Sequence, residues 1–491
     1  MQRNRAGELK FYKLFGLCSI VLLLGVASAP LNAETFTEFK NKQSVTFQEF
    51  RDENDRAFSQ YLKAEWEAYT AQKPEVLYEH SKPKQISPAT SQKIKSVGPR
   101  LNVKLSLEKP SSEKTLPKVA NGFVNKDVSF DFFGTTVGFA ISDEVKTAKF
   151  YPQAQEGISN FFKKVASTDY AYLIEDIHTI IKSMGLNDWG TYLLVTKLSH
   201  ELYSNVDEAE LFNWFIFNKL GYSVRVGLVQ KNIVLMFQSD KVIYATPNYT
   251  IDGKQFYVLA DYLKSGMGRI YTYKQNYPDA DKVFDLSLTT LPNLVQNSVT
   301  KTIGYKKYGN EYSVTYNYNQ NLLDFMATYP QADYETFFNA PMEAKTYTDI
   351  AKGLKKYIQG KQASEAIDFV LKFVQNAFIY QTDAEQFGHE KVMFAEETLY
   401  YEKSDCEDRS VLFAYLMKEL FGIGVIGIKY KDHMATGLYI PMKGDTVTLG
   451  SRRFVIADPT YVNANIGQSM PKYKPLKPER FIVVHSARKS V

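Results

Sequence analysis

Hydrophobic residues recur at helical spacing in some parts of the chain and alternate with polar residues in others. Across residues 47–69 (FQEFRDENDRAFSQYLKAEWEAY), apolar side chains repeat every three to four positions between charged ones, which predicts one long amphipathic helix. From about residue 120 onward, strand-like stretches such as VSFDFFGTTVGFAI alternate with helical ones such as DFVLKFVQNAF. The pattern predicts an α+β protein that follows an N-terminal helical region, residues 34–81.

The first 33 residues have the pattern of a secretory signal peptide. Four basic residues precede an apolar run at 14–29, and small residues follow near Ala33. We expect cleavage after Ala33. An uncleaved anchor is the alternative, although the apolar run is short for a bilayer span. A signal peptide implies export to the periplasm or the extracellular space.

Residues 82–119 are rich in Lys, Ser and Pro and poor in aromatic residues, which is typical of a linker. Nine basic residues against two acidic ones make this segment strongly positive. A solvated tether is the simpler interpretation. Contact with an anionic cell-envelope surface is the alternative.

The second half of the chain repeats features of the first half. Three pairs of segments match in the same order: residues 161–181 with 337–357, 211–221 with 412–422, and 253–261 with 450–458. The last pair reads GKQFYVLAD and GSRRFVIAD. The matches predict two related domains, at 120–270 and 331–480. A β-rich connection at 271–330 either joins the sheet of the second domain or forms a small sheet of its own.

Charge and cysteine content limit the possible functions. The formal net charge is +5, and most of it lies in the signal peptide, so nothing indicates nucleic-acid binding. Cleavage of the signal leaves Cys406 as the only cysteine of the mature chain, which excludes an intramolecular disulfide. Such a thiol is either buried and inert or reactive.

Cys406 lies at the start of a predicted helix. The apolar spacing of YEKSDCEDRSVLFAYLMKEL places Cys406 in the first turn, with Ser404 or Asp405 as the N-cap. Free backbone N–H groups and the helix dipole at this position favour a thiolate and can hold an oxyanion. Glu407 and Asp408 oppose the thiolate electrostatically, although acids are ordinary in a first helical turn.

Two later residues complete a possible catalytic group. His433 begins the strand-like HMATGLYI, and Asp458 ends the strand-like RFVIAD. Neighbouring strands of a sheet packed against the cysteine helix can present both side chains to the sulfur. A thiol nucleophile needs a base, and an imidazole base needs an orienting group. The order and setting of these residues predict a Cys–His–Asp site.

The motifs SDCEDRS, DHMATGLYI and FVIADPTY resemble the Cys, His and Asp motifs of the transglutaminase-like superfamily, whose fold is related to papain. The upstream FGHEKVMFAEETLYY resembles the lead-in of bacterial members, and the likeness covers about residues 335–475. The resemblance implies that Cys406 is the nucleophile, His433 the general base and acid, and Asp458 the orienting group. Ser404 stands where many members have glycine.

Members of this superfamily supply a second oxyanion donor from upstream of the cysteine. Four side chains are candidates for it here: Gln375, Asn376, Tyr380 and Gln386. His389 is expected to be a structural, hydrogen-bonded residue. A metal site is disfavoured, because the mature chain has one cysteine and no paired histidines at ligand spacing. We expect no cofactor.

The repeat indicates that the first copy lacks the catalytic group. The alignment pairs Cys406 with Asn205, His433 with Asn232, and Asp458 with Asp261. Residues 120–270 are therefore interpreted as a degenerate transglutaminase-like domain with a structural or substrate-binding role.

These observations favour an exported, cysteine-dependent acyl-transfer enzyme. It would act on peptide or glutamine-type amides of a protein or peptide substrate through a thioester, with either an amine or water as the acceptor. The alternative is a non-catalytic cell-envelope protein that uses transglutaminase-like modules for binding or assembly. The oligomeric state is left open.

Overall fold

Helices and strands are mixed along the whole described chain, which confirms the predicted α+β class. The computed structural model describes residue 49 and residues 51–101, 126–259, 268–307 and 309–485. The predicted signal peptide, residues 102–119 of the predicted linker, and Asp261 lie outside these residues. The chain divides into two units, Met1–Glu53 and Asn54–Val491. The described residues of the first unit are helical, and the following paragraphs concern the second.

The predicted helix at 47–69 is wrong over its second half. Within the second unit, helix α1 spans residues 54–61, and residues Glu67–Thr70 form strand β1. The indole of Trp66 donates to the carbonyl of Leu62 (3.0 Å), which holds the chain in a turn after α1. Strand β1 then pairs with Arg269–Thr272, so pairing with a distant strand overrides the helical spacing of the aromatic residues.

The first half of the chain builds a helical layer and a six-stranded sheet. A hairpin of β2 (Val128–Phe132) and β3 (Thr135–Phe139) precedes the helices. These are α2 (Asp143–Lys146), α3 (Gln155–Ala166), α4 (Ala171–Met184), α5 (Asp188–Leu202) and α6 (Val206–Lys219). The strands are β4 (Val224–Val229), β5 (Asn232–Gln238), β6 (Asn248–Ile251), β7 (Lys254–Val258) and β8 (Arg269–Thr272). The antiparallel sheet has the order β1-β8-β4-β5-β7-β6.

The second half begins with a long hairpin and ends with a five-stranded sheet. The hairpin is β9 (Ser298–Lys307) and β10 (Asn310–Asn319). The helices are α7 (Gln320–Ala327), α8 (Tyr334–Asn339), α9 (Ala344–Ile358), α10 (Ala363–Ala377), α11 (Asp383–Gln386), α12 (Ala395–Tyr400) and α13 (Cys406–Phe421). The strands are β11 (Ile379–Tyr380), β12 (Lys403–Ser404), β13 (Val425–Tyr430), β14 (His433–Leu438), β15 (Thr446–Leu449), β16 (Arg452–Ala457) and β17 (Arg480–Val483). The sheet order is β15-β16-β14-β13-β17.

The two large sheets share one topology, as an internal repeat requires. In each, a buried helix (α6 or α13) leads into an antiparallel hairpin (β4–β5 or β13–β14). The next hairpin (β6–β7 or β15–β16) pairs with it through its second strand. The last strand (β8 or β17) joins the opposite side. Strand β1 forms an additional edge of the first sheet. Among the described strands, it has no counterpart in the second sheet.

Two features connect the halves. One hydrophobic cluster contains residues from Phe58 to Val484, so both halves contribute to it. The connecting hairpin β9–β10 forms a sheet of its own and packs against α9 and α10. Within the described part of the chain, none of the helices combines the length and apolarity that a membrane crossing requires.

A close approach between α9 and β10 gives a stability prediction. A Cβ at Gly353 would lie 2.4 Å from Cγ1 of Val314, which is buried on β10. Overpacking outweighs the gain in helix propensity, so we expect Gly353→Ala to lower the free energy of unfolding by about 1–2 kcal/mol. Urea denaturation measures this, with Lys352→Ala on the exposed face of the same helix as the control. A Gly353→Ala protein as stable as the control would contradict the close packing.

Candidate active site

The start of α13 is fixed by hydrogen bonds around Cys406. Asp405 is the N-cap residue in an extended conformation, and Cys406 is the first helical residue. The carboxylate of Asp408 accepts the backbone N–H of Asp405 (3.2 Å) through one oxygen and that of Met393 (2.9 Å) through the other. Asp408 therefore links the start of α13 to the chain just before α12 and has a structural role.

Arg409 fixes the same helix against the end of α10. Its buried guanidinium donates to Oγ of Ser404 (3.0 Å) and to the carbonyls of Gln375 (3.2 Å) and Phe378 (2.9 Å). Burial lowers the pKa of Arg409 to about 10, so the group is charged at neutral pH. Ser404 thus supplies a hydrogen-bond acceptor at this position.

His433 and Asp458 form a buried pair on neighbouring strands. Nε2 of His433 lies 2.8 Å from Oδ2 of Asp458, whose Oδ1 accepts the N–H groups of Thr460 (3.0 Å) and Tyr461 (3.1 Å). A carboxylate only accepts, so Nε2 donates a proton in this pair and Nδ1 is the ring nitrogen that faces away from Asp458. Nδ1 is buried and has no hydrogen-bond partner among the described residues. The nitrogen without a partner is the one through which a general base at this position would act.

The helix and the strands bring the three predicted residues into one region. Helix α13 packs on β13 and β14, and Oγ of Ser410 donates to the carbonyl of Met434 (3.3 Å), next to His433. The ring of Tyr473 stacks on that of His433, with centroids 4.6 Å apart. Burial raises the pKa of the Tyr473 hydroxyl, and Cys406 contributes to the rise, so the sulfur lies within electrostatic range of this ring.

The thiol of Cys406 is covered and protonated in this structure. Its exposed fraction is 0%, and Sγ donates to Oε2 of Glu407 (3.1 Å). Burial raises the pKa of Cys406 well above its ordinary value, and the charges of Glu407 and Asp405 add to the effect. The expectation that the helix start favours a thiolate is therefore wrong for this state, because desolvation and two acids outweigh the helix dipole.

Lys82 lies at the centre of a cluster of acids beside the thiol. Its Nζ forms ion pairs with Glu407 (2.6 Å), Glu390 (2.6 Å), Asp383 (3.1 Å) and Asp405. Burial alone would lower the pKa of Lys82, but these carboxylates raise it well above the ordinary value. Burial raises the pKa of Asp383 to about 9, so not every acid of the cluster is charged at neutral pH.

The same acids have the geometry of a cation site. Ligand atoms of Asp383, Glu390 and Glu407 lie within 4.8 Å of one another, and those of Asp383, Asp405 and Asp408 do likewise. The cation that these groups hold here is the ammonium of Lys82. The ammonium leaves some carboxylate oxygens of the cluster, such as Oδ1 of Asp383 and Oδ1 of Asp405, without a hydrogen-bond partner among the described residues.

Two of the four predicted oxyanion donors are engaged elsewhere. The amide of Gln375 donates to the carbonyls of Asp458 (3.0 Å) and Ala464 (3.1 Å). The amide of Asn376 donates to the carbonyl of Lys372 (2.6 Å) in its own helix. Both side chains therefore hold the scaffold rather than face a reacting carbonyl.

Tyr380 is the best placed of the remaining donors. Strand pairing sets Tyr380 beside Ser404, two residues before the cysteine. Burial raises the pKa of Tyr380, and the neighbouring Cys406 and acids add to the rise. The hydroxyl donates to the carbonyl of Pro83 (2.7 Å). Gln386 is half-buried, and His389 is exposed, with Nδ1 3.0 Å from the carbonyl of Phe387.

The first copy has different residues at the equivalent positions. Asn205 caps α6 as Asp405 caps α13, so Val206, rather than Asn205, is equivalent to Cys406. Asn232 begins β5 as His433 begins β14, in agreement with the alignment. At these two described positions the first copy therefore has neither a nucleophile nor a base.

Sequence reasoning missed Lys82, which lies in the predicted linker. Residues 82–101 of this segment pack against the rest of the protein at several points. Lys82 and Ala89 are buried. The backbone of Val97 donates to the hydroxyl of Ser364 and accepts from its N–H at the start of α10. The available signal was the excess of acids around Cys406, which demands a buried cation.

Comparisons with known proteins identify no relative. No protein-family model, no curated protein and no solved structure matches the chain. The fold and the site define an α+β protein with a buried His–Asp pair on strands that pack against a helix beginning with cysteine. Any functional assignment therefore rests on the chemistry of these residues.

Proposed function

We propose that this protein is a cysteine-dependent acyl-transfer enzyme with a transglutaminase-like catalytic domain. The observation that carries the proposal is the buried His433–Asp458 pair, 2.8 Å apart, whose free Nδ1 lies in the same region as the first residue of α13. Nucleophile, base and orienting group are the three parts that thiol acyl transfer requires.

The reaction follows from these groups. Nδ1 of His433 takes the proton of the Cys406 thiol, and the thiolate attacks the carbonyl carbon of an amide. Backbone N–H groups at the start of α13, with the Tyr380 hydroxyl, hold the oxyanion. His433 then gives its proton to the leaving amine, and the C–N bond breaks to leave a thioester on Cys406. Water or a primary amine attacks the thioester and restores the thiol.

The proposed substrate is a protein or peptide rather than a nucleic acid. The amide is either a glutamine side chain or a peptide bond, and the acceptor decides between transfer and hydrolysis. The signal-like N-terminus supports action in the periplasm or outside the cell. The first copy would serve as a structural or substrate-binding partner.

Ammonia release from a glutamine peptide, with and without a labelled primary amine, tests the proposal, and casein cleavage tests peptidase activity. Because Cys406 is covered in this structure, we expect turnover of one of these substrates once the thiol becomes accessible, and Cys406→Ala should abolish it. Incorporation of the labelled amine would identify a transferase. Ammonia release in the absence of the amine would identify a hydrolase. Iodoacetamide labelling measures thiol accessibility in parallel. A protein whose thiol labels readily but which acts on none of these amides would contradict the proposal.

A second candidate function is supported by the burial of Cys406. A fully covered thiol with a raised pKa is what a non-catalytic cell-envelope protein of this fold would have. On that hypothesis, Cys406→Ala leaves the cellular phenotype unchanged, whereas deletion of residues 34–119 does not. The two candidates thus predict opposite effects of the same substitution.

A further inference from the structure

Residues 77–89 lie across the candidate active site. Its path begins at Leu77, which is buried and whose carbonyl accepts from the hydroxyl of Tyr334 (3.4 Å) on α8. The hydroxyl of Tyr78 then donates to Oε2 of Glu407 (3.3 Å), the same oxygen that accepts from the Cys406 thiol. This end of the segment therefore lies directly beside the cysteine.

The middle of the segment is held by both a side chain and its backbone. Lys82 is 5% exposed, and its ammonium lies among the acids on either side of Cys406. The carbonyl of the next residue, Pro83, accepts from Tyr380, the candidate oxyanion donor. A backbone carbonyl of the protein itself thus occupies the donor that a substrate carbonyl would use.

The far end of the segment reaches the side of the site where His433 and Asp458 lie. Ile86 packs against the hydrophobic cluster that contains Tyr473, and Tyr473 stacks on His433. The N–H of Ala89 donates to the carbonyl of Val462 (2.8 Å), four residues after Asp458. Between Tyr78 and Ala89 the chain therefore passes from the cysteine to the aspartate and forms no helix or strand on the way.

We propose that residues 77–89, hereafter the strap, are a built-in inhibitor that occupies the substrate cleft, and that Cys406 reacts only after the strap leaves. The inference rests on the proposed function. A segment without helix or strand, a carbonyl held by a hydroxyl and a basic side chain in an acid-lined subsite are the features of a bound peptide. The subsite that holds Lys82 is therefore also a specificity site for a basic side chain of the substrate.

The polarity of the contacts supports an occupant that leaves. A permanent cover is stabilised best by apolar packing, because buried ion pairs lose much of their attraction to the cost of desolvation. Here one ammonium is shared by four carboxylates, and the neighbouring Glu79, His80 and Ser81 are exposed. Solvent can compensate these charges when the middle of the strap detaches, while the apolar contacts of the strap are confined to Leu77 and Tyr78 at its start and to Ile86 and Ala89 near its end.

Iodoacetamide labelling of Cys406 at pH 8.5 tests the strap. We expect Lys82→Gln to raise the labelling rate at least about tenfold, because one partner of a buried ionic cluster is lost. Lys84→Gln is the matched control, since Lys84 is exposed and pairs with Glu385 at the surface. Ile86→Asp is a second variant, which detaches the strap and leaves the acid cluster with its lysine. We expect the same increase from it.

Hydrogen exchange distinguishes release of the strap from unfolding. We expect amides of the strap to lose protection in Lys82→Gln and Ile86→Asp while those of α13 keep it. Labelling that stays within about twofold of wild type although the strap has lost protection would overturn the proposal. Labelling that rises only together with loss of protection in α13 would also overturn it, because unfolding would then be the cause.

Competition in trans tests the subsite. A synthetic peptide of residues 75–91 should slow labelling of Ile86→Asp at least threefold at about millimolar concentration, and a peptide with glutamine at position 82 should not. If the two peptides slow labelling equally, the subsite is not specific for a lysine side chain. If the strap opens but the thiol labels independently of His433, the strap proposal stands and the catalytic one fails.

Discussion

His433→Ala is expected to lower amide turnover by about 10²- to 10⁴-fold in the Ile86→Asp variant, whose strap is detached. The substitution removes the base that takes the thiol proton and the acid that protonates the leaving amine. Burial, with the charges of Glu407 and Asp405, raises the pKa of Cys406 in the closed structure, and the two acids remain beside the sulfur after the strap leaves. A thiol without its imidazole would therefore hold its proton at neutral pH. Steady-state kinetics with the substrate found in the ammonia or casein assay measure this loss.

Tyr473→Phe is the matched control for His433→Ala. It keeps the ring that stacks on His433, so turnover should stay within about threefold of the parent. The pH dependence of iodoacetamide labelling provides a second readout. In the Ile86→Asp parent, labelling should continue at pH values below about 8.5, the pKa of an ordinary thiol. His433→Ala should abolish the labelling at these lower pH values. Equal turnover in His433→Ala and Tyr473→Phe would exclude His433 as the general base.

Arg409→Met is expected to lower the free energy of unfolding by about 3–5 kcal/mol. The substitution preserves much of the side-chain volume but leaves the carbonyls of Gln375 and Phe378 and the hydroxyl of Ser404 without their donor in a buried region. It also removes a positive charge near Asp405 and Asp408. This magnitude combines the loss of hydrogen bonds from a charged group with the cost of leaving buried acceptors unpaired. Urea denaturation at pH 7 measures it.

Two comparisons make this result specific. Arg452→Met, at an exposed arginine above the ring of Tyr439, should change stability by less than about 0.5 kcal/mol. Arg409→Lys should restore only part of the loss, because an ammonium cannot reach three acceptors that the planar guanidinium reaches together. A full restoration by lysine would show that charge alone, rather than the fork of donors, holds α13 in place.

The sequence predicts those parts of the fold that depend on local pattern. The helix that begins at Cys406, the strand that begins at His433 and the strand that ends next to Asp458 all lie where their motifs place them. The helix at 47–69 fails after residue 61, because Trp66 and Tyr69 satisfy helical spacing but belong to a turn and an edge strand. Pairing of β1 with β8 depends on residues about 200 positions away, which a local window does not contain.

The candidate site is predictable in its residue types but not in its electrostatic state. The motif order identifies Cys406, His433 and Asp458, and the His–Asp hydrogen bond follows from the strand arrangement. The raised pKa of the thiol does not follow, because it depends on the complete burial of Cys406 in the folded chain and on the charges of Glu407 and Asp405. Composition assigns Lys82 to a solvated linker, and only the folded chain shows which carboxylates surround it.

The separation between the strap and the cysteine also bears on the order of folding. Tyr78 and Glu407 are 329 residues apart, and Lys82 and Asp405 are 323 apart. Contacts that close loops of this length carry a large entropic cost and tend to form late. The thiol should therefore stay accessible in intermediates whose second sheet is already assembled. Loss of its reactivity during refolding would mark the final step, which makes Cys406 a natural reporter of when the chain has reached its native state.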